Sequence, residues 1–128
     1  MNKSQNSLYA PDWIRAAKKD WHRMELMLEA RDAEASGYFL QQCLEKYLKG
    51  FLLERGWKLR KIHELDALLD DAVKFNESLE SFRDLCERVS GYYLIERYPR
   101  LVGKGVTAKD LKRDVAEARM FIRGLFGK

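Results

Sequence analysis

Apolar residues recur at spacings of three and four along most of the chain, which is the period of an α-helix with one buried face. Ile14, Ala17, Trp21, Met24 and Leu28 form the first such stripe. Pro11 suits a first helical turn, so a helix is predicted from Pro11 to about Ala30. A short connection at Asp32 to Gly37 follows. Leu40, Leu44, Tyr47, Leu48, Phe51 and Leu52 then mark a second, central helix from about Ala35 to Arg55. Gly56 ends it, because a glycine past the last turn takes the left-handed conformation without a Cβ clash. A third, shorter helix is predicted from His63 to about Lys74, with Leu65, Leu68, Leu69 and Ala72 facing inward.

Leu79, Phe82, Cys86, Val89 and Tyr93 give a fourth stripe, from Glu77 to about Arg97. Pro99 closes it by forcing Tyr98 away from helical torsions. A loop from Arg100 to Val106 leads to Thr107, whose hydroxyl suits the cap of a last helix, with Asp110 in its first turn. Leu111, Val115, Ala118, Ile122 and Leu125 are its buried positions. No alternation of β-branched residues suggests a strand. The expectation is an all-α antiparallel bundle of about five helices. Residues 1–10, polar and aperiodic, read as a loose N-terminal arm, and 11–128 as a single domain. With 128 residues the chain can bury one core and is too short for two ordinary domains.

The central helix carries a second line. Gln42, Glu45, Lys46 and Lys49 recur with the helical period but off the apolar stripe, presenting an amide, a carboxylate and two ammonium groups. The plain reading is a solvated face of ordinary ion pairs, each worth only ~0.3–0.5 kcal/mol. The functional reading is a ligand-facing line, which needs support from neighbours. Two locally basic stretches supply candidates: Arg55, Lys58, Arg60 and Lys61 before His63, and Arg97, Arg100 and Lys104 around Pro99. Both follow predicted helix C-termini, where the macrodipole favours cations, and either is suited to a phosphate. The formal charge of +4, from 24 Lys and Arg against 20 Asp and Glu with the signs interspersed, is not the footprint of a dedicated DNA-binding domain, and no sequence-specific DNA binding is expected.

Cys43 and Cys86 are lone cysteines within helical patterns and read as reduced, semi-buried residues rather than metal ligands or a disulfide. No apolar run resembles a signal peptide or reaches the ~18 residues of a spanning helix, so a soluble, cytoplasmic protein with no membrane partner is expected. No cofactor and no metal is expected.

Three segments, Phe39-Leu-Gln-Gln-Cys-Leu-Glu-Lys-Tyr-Leu-Lys, His63-Glu-Leu-Asp-Ala-Leu-Leu and Tyr93-Leu-Ile-Glu-Arg-Tyr-Pro99, stand in this order. Together they resemble the HEPN family, small all-α domains of prokaryotes often encoded beside a minimal nucleotidyltransferase. The resemblance extends over about residues 10–126. It implies a homodimer with a polar groove, a separately encoded minimal nucleotidyltransferase as partner, and nucleotide or RNA as ligand. The site residues on this reading are Gln42, Glu45, Lys46, Lys49, His63, Arg97 and Tyr98.

Family members also include metal-independent ribonucleases of toxin–antitoxin type, which pair an arginine with a histidine a few residues on. Imidazole moves the proton of a ribose 2′-hydroxyl while guanidinium holds the growing phosphate charge. Here Arg97 occupies the arginine position, and Val102, Gly103 and Lys104 bring no histidine. His63 and Arg97 are therefore weak catalytic candidates, and the nuclease is the second reading. Arg15 and His22 have a comparable spacing but sit on the first helix, as a polar flank beside Trp21. His63 itself reads either as a helix-start residue that satisfies backbone groups or as part of the Gln42/Glu45/Lys49 line. Tyr92, Tyr93 and Tyr98 divide between core and rim, where one could stack a base. A third reading is a noncatalytic dimeric interaction module, whose polar line seals an interface.

Overall fold

Helices α1 (Ala10–Glu29), α2 (Ala33–Leu53), α3 (Leu65–Ala72), α4 (Arg83–Arg97) and α5 (Ala108–Phe126), with a 3-10 helix at Glu77–Phe82 ahead of α4, make up a computed structural model in which no strand occurs among the described residues. The described residues are 8–97 and 106–127, without the side chains of 93–97. Residues 1–7 of the N-terminal arm, Tyr98 and Pro99, and most of the loop from Arg100 to Val106 thus lie outside the description, while Ala10, assigned to the arm from sequence, already opens α1.

The bundle is built around α2. Leu40, Cys43, Leu44, Leu48 and Leu52 are fully buried, and α2 packs against α1, α3, α4 and α5. A helix with neighbours on so many sides buries polar positions too: Ser36, Gln41, Glu45 and Lys49 are all buried. The second line of α2 is not a solvated face.

α1 and α2 run antiparallel. Ser36 Oγ, near the start of α2, donates to the Met24 carbonyl at 2.9 Å, while at the other end a Cβ on Gly50 would lie 2.8 Å from Ile14 Cγ1. The buried stripe of α1 is Trp13, Ala17, Asp20 and Met24, so Ile14, Trp21 and Leu28 pack at its edge rather than its centre. In α5 the fully buried aromatic is Phe121, and Ile122 is half-buried beside it. Removing side chains of this size from water contributes about 1.5–3 kcal/mol each.

Helix boundaries follow local chemistry where caps are local. Thr107 accepts from the Asp110 amide at 3.1 Å and opens α5. Asp32 accepts from the Ala35 amide at 3.1 Å, which starts α2 at Ala33 instead of Ala35 and places Gly37 inside the helix. Gly56 takes φ +82°, the left-handed turn expected of it. The start of α3 is a correction: His63 precedes the helix, which begins at Leu65. Glu64 is extended at φ −72°, ψ 123°, and the Leu65 amide is met at 2.8 Å by Ser90 Oγ of α4. The span from Glu77 opens as a 3-10 helix capped by Asn76, with the α-helical part beginning at Arg83. Cys43 and Cys86 are free thiols, fully rather than partly buried.

Candidate functional site: the cleft at Glu45

Glu45 is where α2 meets the segment that leads into α3. Its Oε2 lies 2.9 Å from Lys49 Nζ, one helical turn on, and 3.1 Å from His63 Nδ1. Its Oε1 accepts from Gln41 Nε2 at 3.2 Å. Gln41 Nε2 also donates to the His63 carbonyl at 3.0 Å, and Gln42 Nε2 donates to Gln41 Oε1 at 2.7 Å. Glu45 and Lys49 are almost wholly out of solvent, at 4% and 3% exposure, and Lys49 Nζ stands 5.1 Å above the Trp13 ring. A buried ion pair of this kind needs hydrogen bonds to its remaining lone pairs, and Gln41 and His63 supply them. The carboxylate on Nδ1 also favours the imidazole tautomer whose lone pair is on Nε2.

Around this floor a cleft of about 290 Å³ opens, lined by Trp13, Gln42, Glu45, Lys46 and Lys49 on one side and by Leu59, Arg60, Lys61 and His63 on the other. The second wall is pinned to α3 by Asp71, which accepts from Trp57 Nε1 at 2.9 Å and sits 3.5 Å from Arg60. Lys46 reaches across to Asp20 Oδ2 at 2.5 Å, and Arg23 holds the other oxygen of Asp20 at 2.7 Å. Lys61 has no ion-pair partner among the described residues.

Of the residues singled out from sequence, the fold brings Gln42, Glu45, Lys46, Lys49 and His63 into one cleft. The backbones of Tyr93 and Arg97 belong to α4, whereas their side chains, and the whole of Tyr98, Arg100 and Lys104, lie outside the description. Arg15 pairs with Asp12 on the exposed side of α1, and His22 is exposed on the same helix. Sequence reasoning passed over Trp13, Asp20 and Gln41. Gln41 precedes Glu45 by one turn, and Asp20 falls in step with Trp13, Ala17 and Met24; those spacings were the available signal.

A second buried polar group joins α4 to α5. Asp114, fully buried, accepts from Arg88 Nε at 3.1 Å, from Arg113 Nε at 3.0 Å and from the Tyr92 hydroxyl. Burial first, and then the bond to Asp114, hold the Tyr92 hydroxyl well above its ordinary pKa. The group is internally satisfied and reads as a fastening between helices.

Among the described residues no cluster of His, Cys, Asp and Glu could hold a metal ion, and no helix is long and apolar enough to cross a membrane. Among solved structures, the chain is similar to TT1696 from Thermus thermophilus, known from its crystal structure, with 22% identity and a TM-score of 0.76 over 99% of this chain and 98% of that one. At that identity the likeness speaks for the fold alone. A search of curated proteins finds no match. The HEPN domain family matches residues 10–125, the span that holds all five helices but for the last residue of α5. With that match and an all-helical bundle in hand, the chain belongs to the HEPN domain family.

Proposed function

We propose that this HEPN domain is a nucleotide- or RNA-binding module, taking phosphate in the Glu45 cleft and working as a homodimer with a separately encoded minimal nucleotidyltransferase. The observation that carries the reading is the lining: the cationic Lys46, Lys49, Arg60 and Lys61 surround a single carboxylate, Glu45, with an imidazole and an amide beside them. Such a surface draws anions by its field. The work is divided. Lys49 and Lys46 are tied to Glu45 and Asp20, so they shape the floor. The exposed Arg60 and Lys61 meet the phosphate, Arg60 as a fork and Lys61 as a point charge, while Gln42 and His63 orient the rest. Arg97 and Tyr98 belong to this reading as a further phosphate contact and a closing wall.

Equilibrium binding of labelled ATP and a short RNA to wild type, to Arg60→Ala/Lys61→Ala and to Arg97→Ala tests it. The double variant is expected to lose about tenfold in affinity and to flatten the salt dependence, since each lost phosphate contact removes ~0.7 from the slope for single strands. Equal affinity of all three proteins, or no binding by any, contradicts the proposal.

One observation favours the ribonuclease as a second reading. The Glu45 carboxylate on His63 Nδ1 is the arrangement that orients an imidazole for proton transfer. Purified protein incubated with RNA in chelator would then cut it and His63→Asn would not; intact RNA after long incubation dismisses this reading.

A further inference from the structure

The hydrogen bonds of the cleft run in a fixed direction, and that direction selects a ligand. Gln41 Nε2 faces two oxygens, Glu45 Oε1 at 3.2 Å and the His63 carbonyl at 3.0 Å. Neither has a proton to give: one is a peptide carbonyl, the other a carboxylate held by Lys49. Turning the Gln41 amide over would set its oxygen against both, so its nitrogen must point there and its oxygen must point to Gln42. The Gln42 atom 2.7 Å from that oxygen is then necessarily the nitrogen. What remains at Gln42 is its carbonyl, to which no group among the described residues donates, and the second hydrogen of its Nε2, the two in the order that the bond to Gln41 fixes. The hydrogen-bond chain thus ends in an amide of determined orientation on Gln42, a residue of the cleft lining one helical turn before Lys46, with Arg60 and Lys61 on the opposite wall.

Resting on the nucleotide-site reading above, we infer that Gln42 is a specificity-determining residue whose Oε1 accepts from the exocyclic amine of a nucleobase, so that the cleft prefers adenine and cytosine nucleotides over their keto counterparts. In this fixed order the carbonyl accepts from the amine and the remaining Nε2–H meets the ring nitrogen beside it, which is an acceptor in adenine and cytosine and carries a proton in hypoxanthine and uracil, while the cationic wall draws the phosphate. Adenine and cytosine present an amine where hypoxanthine and uracil present a carbonyl. A volume of about 290 Å³ stands at the small end of the roughly 300–1,000 Å³ typical of ligand pockets, which suits one unpaired nucleotide.

Calorimetric titration of the full chain with AMP, IMP, CMP and UMP tests this, on wild type and on Gln42→Ala. Wild type is expected to bind AMP over IMP, and CMP over UMP, by about tenfold, the effect of leaving one polar pair unmade in a partly buried site. In Gln42→Ala the two members of each pair become equal. Equal affinities within both pairs in wild type, or a preference that survives in Gln42→Ala, overturn the inference. If wild type binds all four alike, the phosphate site stands and only base selection falls; if it binds none, the nucleotide reading falls and takes this inference with it. The wild-type comparison decides even where Gln42→Ala is poorly folded by circular dichroism.

Discussion

Glu45 serves structure and candidate function through the same contacts. Its carboxylate neutralises a lysine that Trp13 covers from α1. Truncating it would strand the Lys49 charge away from water, a change that typically costs about 3–5 kcal/mol. Glu45→Ala is therefore expected to lower the urea unfolding free energy by that much, whereas Lys61→Ala, at the exposed rim, should stay within ~0.5 kcal/mol. Equal effects of the two substitutions would contradict the buried-pair account. From sequence the line Gln42, Glu45, Lys46, Lys49 was legible as a line, but not its burial, because the cover comes from Trp13 on another helix.

The buried thiols make a second statement at this scale. Burial raises Cys86 from 9.0 to about 12 and holds Cys43 well above 9.0, and burial followed by Cys43 raises Tyr47 from 10.0 to about 12. Each is an acid that the fold keeps protonated, while the unfolded chain starts to release its protons near pH 9 to 10. Between those values and about 12 the unfolded state binds fewer protons, so stability falls as pH rises and is unaffected by these groups below. The urea midpoint should decline from pH 9 upward, more gently in Cys86→Ala. A midpoint unchanged from pH 8 to 11 would be the opposite result.

Among elements, the helix stripes were readable because each is a local periodicity, and α3 shows where that stops. Its inward residues Leu65, Leu68, Leu69 and Ala72 are buried as expected. Its start is set by Ser90, 25 residues away, which no local pattern reports. Ser90→Ala, by removing that cap, should cost about 1 kcal/mol in thermal or urea unfolding. Glycines divide in the same manner. At Gly50 a methyl group would meet Ile14 at 2.8 Å, whereas at Gly91 of α4 nothing lies within 4 Å. Gly91→Ala should gain ~0.5–1 kcal/mol from helix propensity. Gly50→Ala should lose ~1–2 kcal/mol, as overpacking of the α1/α2 contact outweighs that gain. Matching shifts in the two variants would argue against the close approach of these helices.

For the molecule as a whole, the architecture and the family were legible because five amphipathic stripes and three polar segments in order suffice to define a helical domain of this kind. The site was legible in part. Lys46, Lys49 and His63 meet in one cleft, yet Trp13, Asp20 and Gln41, which make that cleft what it is, announce themselves only through long-range packing. The tertiary arrangement also redistributes the cations: two lysines of the central helix are committed to carboxylates, while Arg60, 3.5 Å from Asp71, and Lys61 stand exposed at the rim. The most direct test is to titrate isotope-labelled protein with ATP and with a short RNA and to follow the backbone amide resonances. The expected shifts cluster on Gln42 to Lys49 and on Leu59 to His63. Shifts absent from both segments, or confined to the Asp114 fastening between α4 and α5, would contradict the assignment of this cleft as the binding site.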